Sequence, residues 1–458
     1  MVHPGRDGMS PAGRAGAAVR RGPLGQRAFS LLTLGQATST LGDFCYAVAL
    51  PWLVLSQHGG PALLGAVLAC YGIPRTILIP VGGILADKIG PRAIMLGADS
   101  VRCALAAGLA GLAVTHTVSL LALGPVAALI GAGAGLFIPA SMTIMPALLP
   151  GDQLQAGNAI NGAALEVGSL AGPAIGGVIV ALAGSAAAFS ADAGSFLISA
   201  LTLALIGSRW APVRAQQAAA PAETAAAPAQ ADAAPADLEP GADLPADGGI
   251  WALLRHSQVL RLFIVVCVAA NLAFGGAFEV ALPALAHARF GAEGYGAVLA
   301  CLGAGAVIGT LAAARGGKIR RPAMASGYAF LIESLATALI PFLGGLPGAA
   351  AAAFVFGACN GFGNTVILTH VQKWAPPQLL GRVMSVIMLS SMGSFPLSVF
   401  VTGLLVKHFG PVPFFPFAAV FLAVSILFAL TQRVYRDFGS PGPQPARPSG
   451  QAALGSAR

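Results

Sequence analysis

Long apolar runs separated by short polar stretches make up most of this chain. A helix needs about 20 apolar residues to cross the hydrocarbon core of a bilayer. Twelve runs reach that length, and they cover residues 29–55, 62–86, 92–114, 119–148, 157–182, 186–208, 259–285, 293–314, 324–345, 348–372, 382–407 and 411–431. The pattern predicts an all-α membrane protein with twelve transmembrane helices.

The twelve runs fall into two groups of six. Between them, residues 215–249 are rich in alanine and proline and contain six acidic residues and no basic one. This composition is typical of a disordered linker. We therefore predict a disordered N-terminal tail at 1–28, a six-helix bundle at 29–208, a disordered linker at 209–249, a second six-helix bundle at 250–431 led by a short interfacial helix, and a disordered C-terminal tail at 432–458.

The two groups also repeat one another at an offset of about 225 residues. Glycines and bases at positions 83, 90 and 92 recur at positions 309, 316 and 318, whereas Asp87 is matched by Ala313. Such a repeat is typical of duplicated membrane folds. The sequence therefore predicts two pseudo-symmetric bundles, of which only the first keeps the acid.

The low content of charged residues indicates a surface that faces lipid. Only 9% of the residues are charged, against about 25% in soluble proteins. The net charge of +8 comes mostly from bases outside the ends of the runs, and 21 of the 25 bases fall on one side if the N-terminus is cytoplasmic. This asymmetry predicts a multi-pass protein of the cytoplasmic membrane with both termini inside, and it explains the charge better than a nucleic-acid partner.

The sequence contains no motif that is typical of a metal site or a nucleotide-binding site. The six cysteines stand singly in apolar runs and the seven histidines are scattered, so neither set has metal-ligand spacing. The sequence also lacks the Gly-x-x-x-x-Gly-Lys-Ser/Thr loop that holds nucleotide phosphates. We expect no metal, no cofactor and no enzymatic activity.

The turn between the second and third predicted helices carries the most specific motif. It reads Gly83-Ile-Leu-Ala-Asp87-Lys88-Ile-Gly90-Pro91-Arg92 and resembles the diagnostic loop of the major facilitator superfamily. The resemblance implies the major facilitator fold, with two bundles that rock about a central site. It also implies a conformational latch, completed by Arg382, in which Asp87 faces the positive N-terminal end of a helix from the other half. A basic turn placed by membrane topology alone is the alternative.

Small residues recur in the fifth predicted helix. The segment Gly168-Ser-Leu-Ala-Gly172-Pro173-Ala-Ile-Gly176-Gly177 resembles the antiporter motif that exporters of this superfamily carry. Small residues permit close helix contact, and proline kinks the helix. The family pattern has a further glycine where this chain has Ala159. The segment favours export, with ordinary small-residue packing as the alternative.

A narrower resemblance extends over nearly the whole chain. It is to the drug–proton antiporter subgroup that exports macrolides and siderophores, and it rests on Gln36, Leu41-Gly42-Asp43, Pro139-Ala140 and Gly381-Arg382-Val383. Other drug–proton antiporters keep an arginine inside helix four, whereas no charged residue occurs here from 119 to 148. Proton coupling would therefore use other groups.

Eight charged residues lie well inside the apolar runs, at positions expected to be buried in hydrocarbon, where charge is costly and usually functional. Four of them, Asp43, Arg75, Asp99 and Arg102, come out at middle depths and can neutralise one another. Asp99 and Arg102 are three residues apart on one helix, so a local salt bridge is the simpler interpretation of that pair. Helix one lines the central cavity in this superfamily and helix three lies outside it, so Asp43 is the better candidate to touch substrate or proton.

The other four have no obvious basic partner in their own helix, and they are Glu166, Asp192, Glu279 and Glu333. Burial disfavours the charged form of an unpaired carboxyl, so such a group can bind and release a proton near neutral pH. The proton-coupling candidates are Asp43, Glu166, Glu279 and Glu333. For Asp192 and Glu333, on helices expected to face outward, a satisfied polar contact is the alternative.

The resemblance implies that helices one, four, seven and ten line the cavity. The candidate lining residues on them are phenylalanines and neutral amides: Gln36, Phe44, Phe137, Asn271, Phe274, Phe278, Asn360, Phe362 and Asn364. Such a surface suits a mainly apolar ligand. Any single phenylalanine can instead simply pack between helices.

These features predict a secondary transporter that exports amphiphilic or hydrophobic small molecules, such as drugs, antibiotics or siderophores, in exchange for protons. Its partners would be that small molecule, protons and the lipid bilayer, and we expect a monomer. Proton-coupled uptake of a small metabolite is one alternative. A membrane sensor or membrane-embedded enzyme that reuses the fold without transport is another.

Overall fold

Helices make up almost all of the computed structural model, which describes residues 22–150, 153–206, 255, 257–315, 319–375 and 379–439. No strand occurs within these ranges. The membrane helices are α1 Arg27–Ser56, α2 Gly60–Ile89, α3 Pro91–Val114, α4 Leu120–Leu148, α5 at 154–183, α6 at 185–205, α7 Gln258–Arg289, α8 Gly291–Arg315, α9 Pro322–Leu339, α10 Leu346–Trp374, α11 Leu380–Phe409 and α12 Phe414–Thr431.

The predicted all-α architecture with twelve helices is confirmed. Among the described residues, ten helical runs are long and apolar enough to cross a bilayer, and one of these runs is α5 joined to α6. That join is Gly184, whose φ of +80° is the only non-helical conformation within Leu154–Leu205 and is easily adopted by glycine. The remaining helix, α9, carries the buried carboxyl of Glu333.

The C-terminal tail is ordered further than predicted. Residues Arg433–Arg436 form a short helix, and Tyr435 and Phe438 are buried. Their rings pack on Phe263 of α7, with centroids 5.4 and 4.9 Å away, and this contact explains the order. Residues 1–21 of the predicted N-terminal tail, the linker at 209–249, most of the interfacial helix and residues 440–458 lie outside the described residues.

Each half of the protein packs its helices in the same pairs. In the N-terminal half α1 packs on α5 and α6, α2 on α4, and α3 on α6; in the C-terminal half α7 packs on α11 and α12, α8 on α10, and α9 on α12. The halves meet through α2 with α11 and through α8 with α5. Adding six to each helix number of the first set converts it into the second. The fold is therefore two pseudo-symmetric six-helix bundles.

Two glycine crossings join the bundles. A Cβ atom built on Gly177 of α5 would lie 3.0 Å from Cα of Gly296 on α8, and one on Gly65 of α2 would lie 3.0 Å from Cα of Gly403 on α11. Such crossings let the backbones approach closely. We call the side where α1 begins and α12 ends the terminal face, and the opposite side the far face. Both crossings lie toward the far face, so the bundles are closed against each other on that side.

Candidate functional site

A cavity of about 350 Å³ lies within the N-terminal bundle, between α1, α2, α3, α4 and α5. It extends from Arg102 in the middle of α3 to Met145 and Asn158 near the terminal face. Its wall combines apolar side chains with amides and hydroxyls, among them Gln36, Ser39, Thr40, Tyr71, Phe137, Ser141, Met142 and Asn161. A small amphiphilic molecule that enters from the terminal face can therefore meet both kinds of surface.

Three charged side chains meet at the inner end of this cavity. Nη2 of Arg102 donates a hydrogen bond to Oδ1 of Asp43 on α1, and Nη1 lies 3.6 Å from Oδ1 of Asp99. Ser199 of α6 donates to Oδ2 of Asp99 at 2.6 Å. The local Asp99–Arg102 pair is therefore present, but the closer partner of Arg102 stands on another helix. Helix three was expected to lie outside the central cavity, and its Arg102 reaches the wall of this cavity within the N-terminal bundle.

The three members of this cluster differ in their exposure. The side chain of Asp43 is 45% exposed, whereas those of Asp99 and Arg102 are 0% and 4% exposed. The Arg102 guanidinium also lies 3.9 Å from the ring centroid of Phe196, a cation–π contact that helps to hold it away from water. A proton or a cation in the cavity therefore meets Asp43 first.

Arg75 borders the same cavity but stands apart from the cluster. It forms no hydrogen bond or ion pair with the described residues, and its Nε is buried without a partner among them. Its guanidinium lies 5.7 Å from the ring centroid of Tyr71. Arg75 also borders a second cavity of about 150 Å³, where Asn271 of α7 and Phe395 of α11 meet α2. Arg75 thus lines both the cavity within the N-terminal bundle and the smaller cavity between the two bundles.

Asp192 of α6 adjoins the charged cluster, although its helix was expected to face outward. Its side chain is buried, and its Oδ1 has no hydrogen-bond partner in the described part of the chain. A Cβ on Gly42, directly before Asp43, would lie 2.6 Å from that atom. The signal that could have revealed this buried face is a polar stripe at helical spacing, Asp192, Ser195, Ser199 and Thr202.

The three remaining carboxyls stand outside this cluster. Glu279 is partly buried in Ala277–Ala281, a π-helical segment within α7. Such segments frequently occur at functional sites. Glu333 is 1% exposed and accepts a hydrogen bond from Nδ2 of Asn360 at 3.0 Å. Glu166 is exposed on α5, and Ser169 donates to its Oε2 at 3.4 Å.

The predicted lining residues are distributed over several places. Gln36 and Phe137 border the cavity of the N-terminal bundle, and Asn271 borders the smaller cavity. In the C-terminal bundle, Phe274 and Phe278 pack on the ring of Phe356, with centroids 4.8 and 4.4 Å away. Phe44 packs against Gly172, Asn364 bonds to Asn360, and the main chain of Phe362 lies against Gly309.

Sequence reasoning missed the lining residues Tyr71 on α2 and Asn158 and Asn161 on α5. It considered only the four helices that the resemblance implied. Nothing in the apolar pattern of α2 or α5 marks these positions as facing a cavity.

Asp87, the acid of the predicted latch, does not bridge the two bundles within the described part of the chain. Asp87 and Lys88 are exposed, and Asp87 forms no hydrogen bond or ion pair with the described residues. Gly90, with φ +92°, ends α2 and its N–H bonds to the Ala86 carbonyl at 3.0 Å. A Cβ on Gly83 would touch Pro139 of α4 at 3.9 Å. The side chain of Arg382 lies outside the described part of the chain, so its role in the latch stays a prediction.

The glycines of helix five face two different neighbours. Cβ atoms on Gly168, Gly172 and Gly176 would meet Thr40, Phe44 and Cys45 of α1, and one on Gly177 would meet Gly296 of α8. Pro173 lies within this stripe, and its carbonyl also faces Gly296. The segment therefore packs against α1 with one face and against α8 of the C-terminal bundle with the adjacent face.

Comparison with known proteins agrees with this architecture. The sequence model of a family described as Major Facilitator Superfamily matches residues 32–392. The multidrug efflux pump Tap of Mycolicibacterium fortuitum is 33% identical over 173 residues, which are 36% of this chain and 41% of that pump. The match thus spans less than half of the relative's length.

Solved structures share the fold at low sequence identity. A POT family transporter in complex with a thioalcohol conjugated peptide has a TM-score of 0.67 at 16% identity, covering 88% of this chain and 96% of that one. A bacterial homologue of the iron transporter ferroportin in the inward-facing state has a TM-score of 0.64 at 15% identity, covering 88% and 98%. Likeness at this level supports the fold and not the cargo.

Proposed function

Because this chain belongs to the Major Facilitator Superfamily, and is therefore a multi-pass membrane transporter, we propose that it exports amphiphilic or hydrophobic small molecules in exchange for protons. The named function of the related multidrug efflux pump supports export. The mixed wall of the cavity supports an amphiphilic cargo, because Phe137 and Met142 offer apolar contact while Gln36 and Asn158 offer hydrogen bonds.

The proposal for proton coupling rests on the carboxylate of Asp43, which is accessible from the cavity. Asp43 borders the cavity and is paired with the buried Arg102. A proton bound to Asp43 removes its negative charge, so Arg102 is left with Asp99 as its counter-charge. A cationic or hydrogen-bonding cargo and a proton would then compete for one carboxyl group. Such competition links the departure of the cargo to the arrival of the proton, as exchange requires.

The direction of transport rests on the orientation of the chain. The excess of bases in the segments that flank the terminal ends of the helices supports a cytoplasmic terminal face. The cavity then loads from the cytoplasm while the glycine crossings close the outer side. In the opposite conformation, the exposed Asp87 would engage the N-terminal end of α11, which begins at Leu380, and Arg382 would complete the latch. We propose that the transporter acts as a monomer in the cytoplasmic membrane.

The test is transport of a fluorescent amphiphilic dye into proteoliposomes with an acidic lumen. The wild-type chain should accumulate the dye against its gradient, and dissipation of the pH gradient should abolish accumulation. Asp43→Asn should lose accumulation but keep exchange of dye at equal concentrations. The matched control is Glu293→Gln, an exposed carboxyl at the start of α8, which should transport like the wild type.

Three outcomes would count against the proposal. Accumulation of the dye by Asp43→Asn at the wild-type rate would remove this residue from coupling. Cargo movement in the same direction as the protons would indicate uptake by symport. A chain that moves no amphiphile in either assay would favour a membrane sensor.

A further inference from the structure

A buried carboxyl in the C-terminal bundle stands apart from the charged cluster of the other half. Glu333 lies in the middle of α9 and is 1% exposed. Its Oε1 accepts the hydrogen bond from Asn360, while its Oε2 is buried and has no hydrogen-bond partner among the described residues. An ionisable carboxyl group buried within the membrane is energetically costly, and such groups usually have a function.

The helices around Glu333 offer no counter-charge near it. α9 packs on α10, α12 and the short helix Arg433–Arg436. Cys359 is the neighbouring titratable group on α10, whereas His370 and Lys373 stand at the end of that helix near the terminal face, as do the bases of the short helix. Tyr328 on α9 is exposed, and Phe414–Thr431 contains no ionisable side chain. An ionised carboxylate here would be buried without a partner, so the group holds a proton in this conformation.

A short polar path leads from this carboxyl to an exposed position. Nδ2 of Asn364 donates to Oδ1 of Asn360 at 3.0 Å, and Asn364 is exposed on α10. Asn360 itself donates to Glu333, so three polar side chains form a row from the buried α9 to the surface of α10. Such a row offers hydrogen-bond partners for water and protons between the surface of α10 and the carboxyl.

The arrangement has a counterpart in the other bundle. There, the third helix brings Arg102 against the fourth helix, where a Cβ on Gly133 would lie 2.9 Å from Cγ of Arg102. Here, α9 is the third helix of its bundle, and it brings Glu333 against α10. Each half therefore places an ionisable side chain of its third helix behind its fourth.

We propose that Glu333 is a second proton-binding site of this transporter, reached through Asn360 and Asn364. The carboxyl holds its proton in the conformation described here and releases it to water along this row in the opposite one. The carboxylate that remains keeps the hydrogen bond from Asn360. This inference rests on the proposed proton coupling for its role in transport, but not for the binding of the proton itself.

The first test measures proton binding without transport. In purified protein, the infrared band of a protonated carboxyl should be present near neutral pH in the wild type and in Asp43→Asn, and should lose one carboxyl's intensity in Glu333→Gln. Equal intensity in Glu333→Gln and the wild type would overturn the assignment. This result stands even if dye transport proves independent of protons.

The second test asks whether the proton must leave. Gln at position 333 resembles the protonated carboxyl and can still accept the hydrogen bond from Asn360, so the fold should be kept. Glu333→Gln should lose accumulation of dye driven by the pH gradient and keep exchange at equal concentrations. Accumulation at the wild-type rate would show that the proton of Glu333 is only structural and would overturn the proposal.

A variant at the exposed end of the row covers the case in which Glu333→Gln does not reach the membrane. Asn364→Leu keeps the buried Glu333–Asn360 pair and removes the polar path. It should slow the pH-dependent change of the infrared band and reduce accumulation, whereas an unchanged rate of both would overturn the path. Glu293→Gln again serves as the matched control.

Discussion

Ser398 of α11 is hydrogen-bonded to Gly276 of α7 immediately before the π-helical segment. Oγ of Ser398 accepts a hydrogen bond from Gly276 N–H at 2.8 Å and donates to the Leu272 carbonyl at 2.7 Å. In a regular α-helix, the N–H and carbonyl four residues apart would bond to each other. The hydroxyl is thus inserted into the backbone hydrogen bonds of α7. The position of Glu279, three residues after Gly276, therefore depends on a contact from α11.

Ser398→Ala removes this inserted hydroxyl. The Gly276 N–H is then left without its acceptor, or α7 recloses and moves Glu279. An unsatisfied buried donor costs about 1–3 kcal/mol, so we expect a lower melting temperature in detergent and slower dye export. Ser425→Ala is the control, because Oγ of Ser425 bonds only within its own helix, to the Phe421 carbonyl. A Ser398→Ala protein with wild-type melting and export would contradict the bridging role.

A larger residue at either glycine crossing should disfavour the conformation in which the bundles are closed at the far face. A Cβ on Gly403 would lie 2.7 Å from the Pro61 carbonyl oxygen, and one on Gly177 would lie 3.0 Å from that of Ala292. Gly403→Ala and Gly177→Ala should therefore push the bundles apart toward the far face. Wider substitutions, such as valine, should have a larger effect.

The measurement for the crossings is chemical labelling near the far face. Trp52 of α1 and His287 of α7 meet across the bundles, with ring centroids 5.0 Å apart. A cysteine placed at position 287, in a background without native cysteines, should react faster with an impermeant maleimide in both glycine variants. Gly393→Ala and Gly162→Ala are matched controls, since nothing lies within 4 Å of a Cβ there. Equal labelling of variants and controls would refute the prediction.

The fold could be predicted from the sequence because the bilayer leaves few options. Each span must satisfy its own backbone hydrogen bonds, so a run of about 20 apolar residues becomes a helix. Short loops then force neighbouring helices to alternate in direction. The predicted break between residues 182 and 186 contains Gly184, where a single residue with positive φ ends one helix and begins the next.

The candidate site could be predicted only in part, because apolar patterns do not fix how a membrane helix is turned about its axis. A helix that is apolar all round gives no sign of which face looks inward. Sequence spacing favoured the Asp99–Arg102 pair, but the rotation of α1 brings Asp43 closer to Arg102. The same uncertainty led to the expectation that Asp192 faces outward, whereas its side chain is buried beside the cluster. Phe274 and Phe278 pack on Phe356, in keeping with the alternative that single phenylalanines pack between helices.

The charged cluster predicts a specific order of stabilities. Arg102→Leu leaves Asp99 buried without its counter-charge, which typically costs about 3–5 kcal/mol. The double variant Arg102→Leu with Asp99→Asn should recover part of this loss, because the remaining carboxyl, Asp43, is the exposed one. Arg75→Leu should cost less, since Arg75 has no ion pair with the described residues. Thermal unfolding in detergent would show the order, and a double variant no more stable than Arg102→Leu would disprove it.

The signature turn predicts that two of its charged residues act in separable ways. Arg92 donates from Nε to the Leu203 carbonyl at 2.8 Å and from Nη2 to the Ala204 carbonyl at 2.9 Å, and so caps the end of α6. Asp87 is exposed and forms no hydrogen bond or ion pair with any residue that the structure describes. Arg92→Gln should therefore lower the free energy of unfolding, by about 1.5–3 kcal/mol for lost bonds from a charged donor.

Asp87→Asn, in contrast, should leave thermal unfolding of this conformation unchanged and still reduce dye export, because the contact it removes would form only when the bundles close at the terminal face. Glu293→Gln is the matched control, since Glu293 is an exposed carboxyl at the start of α8, outside the latch. Melting curves and export rates measured on the three variants separate the two roles. If Asp87→Asn exported at the wild-type rate, the turn would be a structural cap for α6 and not a latch.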